Sequence, residues 1–200
     1  MLFGLITPKY KQESQWVFDS ALARAKAMFP ETFTKDSITK EDRDSKFEAI
    51  SVYMALYVRT LLQMETNPKA SHKLLQRVYE EMYDRYDIAL REQGVGDVKV
   101  GPTVRALAAK FKTRLEKYTA AYQNNASKDI VEVLVEFGLC SKMQAMQLSI
   151  RLCAEAKLMQ NLSLEQWLQH IKNPTVGAYE PHEMKMTEKT EADDDNQELR

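Results

Sequence analysis

Three of the chain's six glycines, Gly94, Gly96 and Gly101, fall within eight positions, and the charged residues Arg91, Glu92 and Asp97 stand among them. Glycines packed this way are the raw material of a phosphate cradle, because main-chain N–H groups free of side chains can close round an anion. The spacing argues against that chemistry. It is not Gly-x-Gly-x-x-Gly, no strand pattern precedes it, and the Gly-Lys-Ser/Thr of a P-loop is absent. The alternative is structural. Gly94 ends one helix in the left-handed conformation, Gly96 allows a tight turn, and Gly101 sits beside Pro102 at the expected start of the next helix.

Carboxylates gather just upstream at Glu80, Glu81, Asp84 and Asp87, interleaved with Arg77, Arg85 and Arg91. A carboxylate-bridged metal pair in a helical bundle needs Glu-x-x-His pairs, and the three histidines, His72, His170 and His182, supply none. The spacing fits a solvated face with i,i+4 ion pairs such as Asp87 with Arg91. Met143, Met146 and Met159 share one helical segment, and flexible thioethers suit either a core or a surface that accepts varied apolar partners. No Ser or Cys nucleophile has a histidine close in sequence, so an enzyme would need a site assembled in space. Cofactor and metal motifs are absent, and none is expected.

The elements that hold these residues read as helices almost throughout. Helical periodicity covers about 13–28, 42–64, 69–91, 102–122, 128–137, 141–159 and a short segment round Trp167. The expectation is an all-α, irregular bundle of six to seven helices. Phe47, Ile50, Tyr53, Met54, Tyr57, Leu61 and Leu62 occupy most of the circumference of the second helix, which places it at the centre. "KDIVEVLVEF" also alternates like a strand, but Ser127 and Gly138 bracket it as helix caps. Ser141 with Gln144, and Ser163 with Gln166, make capping boxes.

Composition narrows the class. With 44% apolar residues in 200, the chain can bury a core without disulfides, and Cys140 and Cys153 read as buried thiols in a reducing compartment. "MLFGLI" lacks the basic lead and cleavage site of an export signal, and its Leu2, Phe3, Leu5 and Ile6 could staple a core or touch a membrane. Residues 178–200 hold three basic and eight acidic residues, a charge of −5; the remaining body, with 25 basic and 21 acidic, is only +4. That surplus is too small to predict nucleic-acid binding. The acidic, aperiodic end is expected to be a disordered tail.

Two stretches resemble a known family. "DIALREQGVGDVKVG", residues 87–101, is similar to the ubiquinol-cytochrome c chaperone pattern, in which a helix ends in Leu-Arg-Glu-x-Gly-Val-Gly-Asp. "DSKFEAISVYMALYVRTL", residues 44–61, resembles that family's Asp-Gly-Arg-Phe-Glu opening of an apolar helix, with Ser45 and Lys46 in place of Gly and Arg. Where members carry an aromatic-Tyr-Gly-Arg run, Phe111 and Arg114 keep only the ends. The likeness covers about residues 42–122.

The resemblance implies a helical assembly factor, not an enzyme, that receives newly made cytochrome b while the bc complex is built. It implies a place at the inner face of a bacterial inner membrane, peripheral and cytoplasmic, with a small partner protein and the ribosome nearby. A structural adaptor or a spatially assembled enzyme are the alternatives. The expected organisation is an N-terminal helix and linker (1–41), a family core (42–122), C-terminal helices packed on it (126–174) and the tail (178–200). The loop residues Asp87, Leu90, Arg91, Glu92, Gly94, Val95, Gly96, Asp97, Val100 and Gly101 either pin the bundle, through Arg91 or Asp97 bonded to backbone termini, or present a partner surface. Met143, Met146 and Met159 form the candidate client surface.

Overall fold

Residues 47–61 offer apolar side chains round the whole circumference of a helix, and such a helix is stable only when neighbours sheathe it on all sides. In the computed structural model, which describes residues 9–34, 39–123 and 127–172, every residue from Phe47 to Leu61 is buried. The helices are α1 (Lys11–Met28), α2 (Pro30–Thr34), α3 (Lys40–Gln63), α4 (Pro68–Glu92), α5 (Asp97–Gln123), α6 (Ser127–Glu136), α7 (Lys142–Gln160) and α8 (Leu164–Lys172). α3 packs against α1, α2, α4, α5 and α7, while α6 bridges α5 to α7 and α8 lies on α1. No strand occurs among the described residues. The N-terminal cluster Leu2, Phe3, Leu5 and Ile6 and the acidic tail 178–200 lie outside them.

Among the described residues eight helices stand where six or seven were expected. Pro30 does close α1, with the Phe29 N–H donating to the Ala25 carbonyl at 2.8 Å, but it also opens α2, a position that costs proline no hydrogen bond. The alternation of Val131, Val133 and Val135 resolves as helix. Gly138, at φ 69°, ends α6 as the N–H of Leu139 reaches back to the carbonyl of Leu134 at 3.2 Å. Both capping boxes form: Gln144 N–H donates to Ser141 Oγ at 3.4 Å, and Gln166 N–H to Ser163 Oγ at 3.2 Å. Cys140 and Cys153 are half-buried, not fully so, and burial pushes both thiols up.

The polar residues inside α3 decide where other helices sit. Glu48 is 6% exposed and accepts from Arg114 Nε at 2.8 Å and Nη2 at 2.7 Å, a two-point grip from α5, while Lys110 Nζ lies at 2.9 Å. Lys110 also covers the Phe47 ring, and Arg114 stacks on Phe137 beyond α6, 3.8 Å from the ring centroid. Arg59, 3% exposed, faces the Tyr122 ring of α5 and the Gln160 amide of α7, whose oxygen, with the amide turned toward the guanidinium, accepts at 2.9 and 3.1 Å. Tyr57 bonds Ser20 of α1 at 3.1 Å and meets Trp167 of α8 edge-on at 5.8 Å.

A second polar knot ties α1, α7 and α8. Arg24 grips Glu155, and His170 Nε2 lies 3.3 Å from Arg24 and 3.8 Å from Glu155. Burial raises the Glu155 carboxyl, partly countered by Arg24; burial and then the Arg24 charge hold His170 below its ordinary 6.5. The neutral imidazole is therefore the favoured folded form.

Two outcomes follow from these contacts. Arg114→Ala leaves the buried Glu48 carboxylate with only Lys110 and is expected to cost about 2–3 kcal/mol in chemical denaturation; Arg114→Lys recovers little, since one ammonium cannot make the two-point grip. For His170, a depressed folded pKa means stability that is present above pH 6.5 and lost as pH falls through the lower folded value. The stability difference between wild type and His170→Gln is expected to shrink across that fall, read from urea midpoints at successive pH.

Candidate functional site

The glycine-rich segment is a helix terminator joined at once to a new helix. Gly94 has φ 76°, its N–H donates to the Arg91 carbonyl at 2.9 Å, and the Val95 N–H donates to the Leu90 carbonyl at 3.0 Å. This pair of reversed bonds satisfies carbonyls that the end of α4 would otherwise leave open. α5 then starts at Asp97, five residues earlier than Pro102 suggests. Gly101 and Pro102 are thus inside its second turn. The hydrogen bond that Pro102 forfeits belongs to the carbonyl of Val98, a residue 90% exposed and open to solvent.

Arg91 holds the loop by carboxylates, not by the backbone termini expected of it. Its Nε donates to Asp87 at 2.6 Å and its Nη1 to Asp97, clasping the last turn of α4 to the first residue of α5. The Asp87 bond, then its charge, and after them Asp97 push the guanidinium above its ordinary value. All three groups face solvent, so the clasp is screened and weak. Beneath it Leu90 and Val100 are buried, whereas Glu92, Gly94, Gly96 and Asp97 are exposed and Val95 and Gly101 half-buried.

The loop borders an open groove of about 700 Å³. Its apolar floor comes from Phe18 and Leu22 of α1, Phe33 of α2, Phe47 and Ile50 of α3, and Tyr86 and Leu90 of α4. Ile88, 51% exposed, stands in it. Five cations lie round it, Lys26, Lys40, Arg43, Lys46 and Arg85, against the carboxylates Asp44 and Glu92. Arg85 is shared with Glu81 at 2.7 Å and Asp19 at 3.2 Å. The groove thus offers apolar contact within and positive charge round the opening. Periodicity did not reveal it because its residues come from five helices, α1 to α5, although Phe47, Ile50, Ile88 and Leu90 all fall in the two stretches that carry the resemblance.

Of the candidate methionines, Met143 and Met146 are 73% and 57% exposed, while Met159 is fully buried. Met159 faces α3, its sulfur 4.0 Å from the Thr60 hydroxyl, and belongs to the core, not to a client surface. Glu155 and His170, whose protonation burial shifts, do not line the groove; Tyr86, whose hydroxyl burial pushes well above its ordinary value, does. No cluster of three or more His, Cys, Asp or Glu suited to a metal occurs among the described residues.

The model of a family described as ubiquinol-cytochrome C chaperone matches residues 39–156. The match runs through α6 and most of α7, well past the 42–122 stretch that resemblance alone covered. A search of the curated proteins finds no match. Among solved structures, the crystal structure of the Cbp3 homolog from Brucella abortus is 21% identical, covers 81% of this chain and 87% of its own, and superposes with a TM-score of 0.62, a likeness of fold.

Gly94→Val forces a β-branched residue into positive φ and is expected to cost about 1–3 kcal/mol. Arg91→Ala removes only a solvent-facing clasp and should leave the thermal midpoint close to wild type. A large drop for Arg91→Ala would show that the clasp, not the Gly94 turn, sets the loop.

Proposed function

This chain belongs to the ubiquinol-cytochrome C chaperone family, and from that premise we propose that it binds newly made cytochrome b and releases it into the growing ubiquinol-cytochrome c oxidoreductase complex. The observation that supports the reading is the groove beside the glycine loop. A membrane-protein client exposes apolar surface before its cofactors and neighbours arrive, and that surface aggregates unless covered. The floor between α1, α3 and α4 supplies apolar cover without a closed pocket. The cations at its edge suit the carbonyl end of a client helix, which carries about half a negative charge.

Binding and release of this kind need no catalytic group, and the role is that of a chaperone without enzymatic chemistry. No helix among the described residues is long and apolar enough to cross a bilayer. The setting we propose is the cytoplasmic face of a bacterial inner membrane, in peripheral contact with it, with the ribosome and a small partner protein as neighbours. The glycine loop fixes one edge of the groove and presents Glu92 there.

Deletion of the gene is expected to lower cytochrome b and bc-complex activity while other quinol-oxidising routes persist. Normal cytochrome b would overturn the assignment. Restoring the gene with Ile88→Asp, which puts charge on the floor at an already exposed position, should return a folded protein but little cytochrome b. Persistence of the chain in the purified, finished complex would make it an adaptor instead.

A further inference from the structure

We propose that the outer face of α7 is a docking surface for an anionic lipid bilayer. The inference extends the peripheral membrane contact proposed above and rests on that reading for its setting. α7 is apolar on two faces, and the fold covers only one. Inward, Ala145, Leu152, Ala156 and Met159 are buried. Outward, Met143, Met146, Ile150 and Leu158 are 73%, 57%, 62% and 50% exposed. They are four of the eight large apolar side chains exposed among the described residues, so the exposure is concentrated on this helix.

Their spacing makes the concentration a stripe. Met146, Ile150 and Leu158 follow Met143 by three, seven and fifteen residues, with exposed Ala154 between them, a run of about 22 Å along one side of the helix. Gln147 and Lys157 are the polar positions on that side; a scatter of surface apolar residues needs no cover, but an apolar run of this length does.

Charge identifies the cover. At 100° per residue, Arg151 flanks the stripe on one side and Lys142 on the other, while Lys157 falls within its arc near the C-terminal end, where a long aliphatic stem lets the ammonium reach outward. The one carboxylate in α7, Glu155, is turned inward and gripped by Arg24. Apolar residues bordered by cations, with no exposed anion, is the pattern of a helix lying in the headgroup plane, its apolar side among acyl chains and its cations near lipid phosphates. A second copy of the chain fits poorly, because a two-fold contact through this face sets Lys142, Arg151 and Lys157 against one another.

The test is flotation of the full chain with vesicles of phosphatidylcholine containing about 30% phosphatidylglycerol, an anionic fraction that gives the negative surface potential cations respond to. Association is expected with these vesicles and not with pure phosphatidylcholine. Met143→Gln with Ile150→Gln should abolish it, and Lys142→Gln with Lys157→Gln should lower partitioning about thirtyfold, at two surface cations removed. Val98→Gln, an exposed apolar change on α5, is the control and should float as wild type. Circular dichroism confirms that each variant is folded. Failure of the wild type to float, or undiminished flotation of the α7 variants, overturns the proposal. So does a dimer in sedimentation equilibrium that Met143→Gln with Ile150→Gln dissolves, since a second copy then covers the face. None of these readouts involves cytochrome b, so the client reading stands or falls separately.

Discussion

From Phe47 to Leu61 α3 has no exposed face, and the helices round it are placed to sheathe that span. Its backbone is satisfied internally, so apolar side chains alone could be sheathed by almost any neighbours in several registers. The polar residues remove that freedom. Glu48 demands two aligned donors and takes them from Arg114, which fixes the height and rotation of α5. Arg59 requires an acceptor and a ring, and so fixes the end of α7 at Gln160 and the end of α5 at Tyr122. Burial lowers the Arg59 pKa, a sign that these contacts work against the cost of holding a charge there.

The Glu48 contact also joins the first stretch that resembles the family to the partly kept run in the helix after the glycine loop. Phe47 and Glu48 come from the first, and Phe111 and Arg114 are the retained ends of the pattern in the following helix. Glu48 and Arg114 meet across α3 and α5, and Lys110 sits over Phe47. The glycine loop then makes this pairing possible from the other side. By reversing the chain within Gln93 to Gly96 it brings α5 back along α4, with Leu90 and Val100 tucked under the turn. The groove is lined where α1, α2 and α3 meet that hairpin.

α7 shows the same economy with the opposite result. Its inner face completes the cover of α3 through Met159 and Thr60, and its acid group serves the knot with Arg24 and His170. Nothing among the described residues completes its outer face. A sequence apolar on both sides of a helix is a demand for two covers, and the fold meets one of them.

The helical class, the capping boxes at Ser141 and Ser163, the terminators Gly94 and Gly138, and the central rank of α3 were all legible in the order of residues, because each is read from spacings within a turn or two. That order also carried the family, since the residues 87–101 stand contiguous. What it could not determine was any property needing two distant segments. The start of α5 escaped because Pro102 tolerates a second-turn position where Val98, which loses a hydrogen bond to it, is open to solvent. Arg91 pointed to backbone acceptors from sequence, and only the return of the chain put Asp97 within its reach. Met143, Met146 and Met159 look alike in sequence; the rotation of α7 against α3 buries the last and exposes the first two. The groove and the Glu48 grip were decided by tertiary structure alone, for they exist only where helices separated by tens of residues come side by side.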